Sequence, residues 1–196
     1  VVEPLGGEPN VATTLNRLCD EGVLFTNMYA NSFRTDRGLV SIFSGYPAQP
    51  TTSIMKYPAK SQHLPSIPKS LKEEGYDLSF FYGGDADFTN MRSYFVSMGI
   101  DKIVSDKDFP VKDRMMKWGA HDELVFKKLS DDLKTKQAEP FCKILLTLSS
   151  HEPFDVPFHR LEQEYLNSVA YTDSCLGVFI DDLKQSEYWN NTVVVL

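Results

Sequence analysis

Three short polar runs in this chain could do chemistry. The first is Asn31-Ser32-Phe33-Arg34-Thr35-Asp36-Arg37-Gly38, which sets a hydroxyl between two arginines where a helix is predicted to begin. Helix N-terminal amides and guanidinium groups both favour anions such as phosphate or sulfate. A hydroxyl placed there can be a nucleophile once something lowers its pKa, and a bound metal ion is one such route. The competing reading is that Thr35 or Asp36 caps the helix. The second run, Ser149-Ser150-His151-Glu152-Pro153-Phe154, follows a strongly apolar segment. Its imidazole can hydrogen-bond an anionic substrate, act as an acid or base, or simply close the end of a strand. The third is Gly83-Gly84-Asp85, where the carboxylate either contacts a ligand or is a turn residue.

The surrounding pattern says what must hold these groups. Residues 10–22 carry an apolar stripe of Val11, Leu15 and Leu18 before Gly22 and predict a helix. Residues 23–29 predict a strand, and Gly38 to Gly45 a short helix behind the polar loop. A proline-rich polar stretch at 46–66 predicts a long surface loop. Helices are then expected at 67–74, 90–98, 117–133 (starting near His121-Asp122-Glu123) and 161–183, with strands at 76–82, 100–104, 141–148 and 192–196. Strands alternating with helices predict an α/β fold, a mainly parallel sheet with helices on both faces. No internal repeat or linker is visible, so residues 1–196 are expected to form one domain. Thr35, Asp85 and His151 each follow a predicted strand, which is where open α/β sheets place their ligand crevice.

Composition narrows the field. Twenty basic residues against 27 acidic ones give a formal net charge of −7, which argues against a nucleic-acid partner. Thirteen Phe and nine Tyr argue against disorder. No apolar run is long enough to span a membrane. Cys19, Cys142 and Cys175 are odd in number and form no CxxC pair, so neither a disulfide scaffold nor a zinc ribbon is indicated. Cys142 and Cys175 read as small buried hydrophobes. GxGxxG, P-loop, HExxH and GxSxG patterns are absent. His63, His121 and His159 lack metal-ligand spacing, and of the three only His121, in Trp118-Gly119-Ala120-His121-Asp122, is a weak functional candidate.

The run Thr14 to Tyr29 (TLNRLCDEGVLFTNMY) resembles a segment of the sulfatases, and Asn31 to Pro47 (NSFRTDRGLVSIFSGYP) resembles the nucleophile segment of their lipoteichoic-acid-synthase branch. That branch comprises membrane-anchored phosphoglycerol transferases of the alkaline phosphatase/sulfatase superfamily. The Ser-Ser-His-Glu-Pro-Phe run is similar to the family's SNHxPF motif. The resemblance runs in order along almost the whole chain and implies an alkaline phosphatase/sulfatase-like fold, truncated at both ends. It implies that Thr35 is the nucleophile and a ligand of a divalent metal (Mn, Mg, Zn or Ca). It implies that His151, Asp85 and Arg92 contact the substrate. The family's Phe-Trp-Asn-Arg run appears here as Phe88-Thr89-Asn90-Met91-Arg92, without the tryptophan and with the arginine displaced by one. Ser32 to Asp36 lacks the proline of the C/S-x-P-x-R sulfatase pattern, which favours phosphate over sulfate esters.

The implied enzyme is extracytoplasmic, with a parent chain anchored in the membrane. It acts on a phosphate- or sulfate-ester substrate, with a lipid headgroup among the candidates. The family's remaining metal ligands, a glutamate after its first strand and an Asp-His pair after a Val-rich strand, would fall before Val1 and after Leu196. Glu3 is a poor match for the glutamate, because no apolar strand precedes it. A single neutral hydroxyl cannot hold a divalent cation tightly. Residues 1–196 alone are therefore expected to be metal-free and inactive. A sulfatase and a non-catalytic binding domain on the same fold are the alternatives.

Overall fold

A computed structural model of the chain describes residues 1–114 and 116–196. Helices α1 (Thr13–Glu21), α2 (Thr35–Ser44), α3 (Pro58–Ser61) and α4 (Ile67–Glu73) precede strand β1 (Asp77–Tyr82). Then come α5 (Met91–Val96), β2 (Lys102–Val104), α6 (Asp122–Leu133), β3 (Phe141–Leu146) and α7 (Glu164–Lys184). Among the described residues the sheet has three strands, all parallel, in the order β2-β1-β3. In register, Leu78 pairs with Cys142 and Phe80 with Ile144 on one side of β1, and Phe80 with Ile103 on the other. The fold is α/β, a parallel sheet flanked by helices, as the alternating pattern predicts.

The chain divides into two compact units. One contains residues 27–108 and 138–146, and so the whole sheet with α2 to α5. Four consecutive residues of β1, Leu78 to Phe81, are buried, the mark of a strand covered on both faces. Phe80 packs at 4.2 Å on Phe95 of α5, and Phe43 of α2 meets Phe95 edge-on at 5.6 Å. Leu39, Val40, Met55, Met91, Tyr94 and Met98 complete this core. The Tyr94 hydroxyl and Ser44 Oγ share a 2.7 Å hydrogen bond that ties α5 to the end of α2, and burial raises the phenol pKa to about 12.

The other unit contains residues 1–26, 109–137 and 147–196, and is built on α6 and α7. Phe126 and Phe179 stack between them at 5.5 Å. Helix α7 also holds α1. Both carboxylate oxygens of the buried Asp173 accept from the Thr14 and Leu15 amides, at 2.7 and 2.9 Å, filling the role of a helix cap from a distance. Gly177 makes this approach possible, since a Cβ there would lie 2.7 Å from Thr14 Oγ1.

Two predicted strands are absent. Residues 23–29 and 192–196 are irregular, with Val23, Phe25, Met28, Tyr29, Val193 and Val195 strongly exposed. Both runs have strand propensity, but a strand exists only where a neighbour completes its ladder, and no described segment pairs with either. The predicted loop at 46–66 contains α3 and a 3₁₀ turn at Ile54–Lys56. Cys175 is buried as expected, whereas Cys142 and Cys19 are half-buried, and all three thiols are free.

Candidate functional site

Thr35 is the first residue of α2 and is exposed. The cap position belongs to Arg34, which makes no side-chain capping bond, so neither Thr35 nor Asp36 serves as the cap. Asp36 is buried beneath. The turn leading in is held by side-chain hydrogen bonds to backbone and side-chain partners. Ser32 Oγ accepts from the Arg34 amide, and Asn31 Oδ1 accepts from the Ala48 amide at 2.6 Å and from Ser41 Oγ at 3.2 Å. Arg37 Nη1 donates to the Pro50 carbonyl at 3.0 Å, and Ser53 Oγ donates to the Asp36 carbonyl at 3.1 Å. A hydroxyl thus projects to solvent from a helix N-terminus whose dipole favours anions.

Asp85 lies three residues beyond β1. It is exposed, and its Oδ1 accepts from the Asp87 amide at 2.8 Å, an Asx turn. The preceding glycine is sterically required, because a Cβ on Gly84 would lie 2.7 Å from the Tyr82 ring. Arg92 is half-buried in α5. Its Nε donates to Asp87 Oδ1 at 2.8 Å and its Nη2 to Ser105 Oγ at 3.1 Å. Asp87 also pairs with Lys107 at 2.8 Å, and hydrogen bonds from Lys107 first and Arg92 second hold its carboxyl below the usual range. Between Asp85 and Arg92, Thr89 and Asn90 are both left-handed, at φ 55° and 65°, a costly conformation for β-branched Thr89.

Thr35, Asp85 and Arg92 lie in the same unit, and the segments that carry them meet through one turn. The Ile54–Lys56 turn touches both sides: Ser53 bonds the start of α2, while Thr89 Oγ1 donates to Met55 Sδ and Asn90 Nδ2 to the Lys56 carbonyl.

His151 belongs to the other unit and is exposed on the loop that follows β3. This loop is braced at its root by Asp122, the first residue of α6, which is fully buried. Asp122 Oδ1 accepts from the Leu148 amide at 2.7 Å, and Oδ2 from the Ser149 amide at 3.1 Å and Thr172 Oγ1 at 2.7 Å. Its own amide donates to Ser149 Oγ at 2.9 Å. Burial holds the carboxyl above its ordinary range against the pull of these bonds. Sequence reasoning missed this role, and its one local signal was an acidic residue at a helix start. His121 is the N-cap residue of α6. It packs edge-on against Tyr171 at 5.9 Å, and burial lowers its pKa and favours the neutral ring.

Among the described residues no group of three or more His, Cys, Asp or Glu side chains could hold a metal ion. No helix of the described residues is long and apolar enough to cross a membrane.

A family model described as Sulfatase matches residues 4–196. A phosphoglycerol transferase I of Xanthomonas campestris pv. campestris is 25% identical across 96% of this chain and 30% of its own length. Lipoteichoic acid synthase 2 of Bacillus subtilis is 28% identical across 68% of this chain and 22% of its own. The chain thus spans less than a third of these curated relatives. A crystal structure of an alkaline phosphatase superfamily protein from Vibrio parahaemolyticus superposes with a TM-score of 0.86 and 34% identity, over 97% of this chain and 48% of that one.

Proposed function

Because the chain belongs to the sulfatase family, we propose that it is part of the catalytic domain of an extracytoplasmic enzyme that transfers or hydrolyses phosphoglycerol-type phosphate esters, with Thr35 as nucleophile. The observation that carries this reading is the placement of Thr35: an exposed hydroxyl at the first position of a helix whose cap is another residue. The kinship with phosphoglycerol transferases along 96% of the chain supports the choice of ester.

In this reading the substrate's phosphoryl oxygens lie toward the amides at the start of α2, where the helix dipole offsets their charge. Thr35 Oγ1 forms a bond to phosphorus as the bond to the leaving alcohol breaks, and the threonine proton passes to the departing oxygen. An acceptor hydroxyl or water then takes the group from Thr35 and returns a proton. In the same reading His151 is a phosphate-contacting group, and Asp85 and Arg92 are substrate-contacting groups. Holding Arg92 on Asp87 fixes its position at the cost of part of its free charge. Metal dependence is part of this proposal, with Thr35 as one ligand among others. Titration of this chain with Mn²⁺ is expected to show no tight stoichiometric binding, and tight binding would contradict that expectation.

The test is turnover by the full-length protein of a chromogenic phosphoglycerol diester beside the matching sulfate ester. The wild type is expected to cleave the phosphodiester preferentially, and Thr35→Ala to abolish cleavage. Full activity in Thr35→Ala overturns the nucleophile assignment, and preference for the sulfate ester overturns the substrate class.

A further inference from the structure

The loop that carries His151 is fastened by a second residue whose chemistry points at the imidazole itself. Trp118 stands at the tip of a tight turn closed by Met116 and Gly119, whose amides donate to each other's carbonyls at 3.0 and 3.2 Å. Gly119 takes φ +145°, a conformation open to glycine. From this tip Trp118 Nε1 donates to the Glu152 carbonyl at 2.6 Å, and the indole lies 5.2 Å from the His151 ring at a tilt of 59°. His151 Nδ1 lies 3.0 Å from the same carbonyl oxygen. Ser149 Oγ also reaches Met116 Sδ at 3.7 Å, so the turn and the loop are joined at two points.

A carbonyl oxygen has no proton to give, so the nitrogen facing it must carry the hydrogen. The Glu152 carbonyl therefore selects the neutral tautomer of His151 with its proton on Nδ1. That leaves Nε2 as a lone-pair acceptor in the neutral ring, and as a donor only in the imidazolium. We propose that Trp118 is a positioning residue for His151: it pins the Glu152 carbonyl that fixes the tautomer, and its ring limits rotation of the imidazole. It thereby leaves Nε2 as the ring nitrogen free for the substrate, an acceptor for a hydroxyl in the neutral ring and a donor to a phosphoryl oxygen in the imidazolium. This rests on the reading of His151 as a substrate-contacting group. Trp118 is 41% exposed, so its contribution lies in orientation more than in core packing.

The experiment uses full-length protein labelled with ¹⁵N-histidine, with His151→Ala to assign the resonance. In the wild type, long-range ¹H–¹⁵N spectra are expected to show His151 as the Nδ1–H tautomer. Trp118→Phe keeps a ring and removes the Nε1–H donor, and is expected to move His151 toward the Nε2–H form favoured by free histidine. Trp118→Ala moves it further. With the phosphoglycerol diester, Trp118→Phe is expected to lower kcat/KM about ten- to a hundred-fold, the scale of a small misplacement of a reacting group. The double variant with His151→Ala is then no slower than His151→Ala alone, since both changes act through one ring. An Nε2–H tautomer in the wild type, or a tautomer unmoved by either Trp118 variant, overturns the inference while leaving the substrate reading intact. A His151→Ala variant of undiminished activity overturns the substrate reading, and the inference with it.

Discussion

At the start of α2 the backbone does most of the positioning. Thr35 takes its direction from the helix it begins, and its turn is secured by partners 13 to 17 residues away in sequence. The loop at 148–154 has no regular backbone, and side chains and amides 26 to 34 residues away hold it instead. The difference teaches where each region is fragile. A helix start loses little when one exposed side chain changes. A loop whose buried amides share one carboxylate loses several hydrogen bonds at once.

The comparison is broken most easily at Asp122. Replacing it with alanine strands the Leu148 and Ser149 amides and the Thr172 hydroxyl, and is expected to cost about 3–5 kcal/mol in equilibrium urea denaturation of the chain. A loss below about 1 kcal/mol would show that the loop does not depend on this brace. Asp122→Asn keeps the shape and is expected to cost about 1–3 kcal/mol. Its pH dependence sharpens the point. The folded-state pKa of Asp122 lies above the ordinary 3.8, so the stability that this shift contributes is full below 3.8 and is lost as pH rises through the raised value. The stability advantage of wild type over Asp122→Asn should therefore narrow as pH rises through that window. An advantage that widens instead would mean that the hydrogen bonds outweigh burial.

Arg92→Ala is a milder probe of the other unit. It breaks a partly exposed pair with Asp87 and one bond to Ser105, for an expected loss of about 1 kcal/mol or less, checked by the same denaturation. A loss of several kcal/mol would mean that the region around α2 and α5 depends on side-chain bridges as heavily as the 148–154 loop. Thr35→Ala is expected to change stability by less than about 0.5 kcal/mol, because the hydroxyl is exposed and caps nothing. A large loss there would assign Thr35 a structural role.

The same contrast explains what the sequence could disclose. The periodic stripes of α1, α6 and α7, and the apolar runs of β1 and β3, are local patterns, and the helices and strands follow them within a few residues. The exposed hydroxyl at the start of α2 is also local, since Arg-Thr-Asp before an apolar run marks a helix N-terminus. The two missing strands failed for a non-local reason: Val23 to Tyr29 and Val193 to Leu196 have the composition of strands but pair with no described segment. The braces of His151 were equally hidden. Nothing in the residues near position 122 says that their carboxylate will meet amides 26 residues later, nor that Trp118 will reach the carbonyl of Glu152. Asp85 shows a local rule of another kind, a Gly-Gly-Asp turn whose carboxylate bonds its own backbone two residues on.

The central claim is that Thr35 carries the phosphoryl group, and trapping that intermediate tests it most directly. Full-length protein incubated with the phosphoglycerol diester and quenched in acid should show, by intact and fragment mass spectrometry, one phosphoglycerol adduct located on Thr35 and absent from Thr35→Ala. An adduct on another residue, or turnover that persists in Thr35→Ala, would contradict the account.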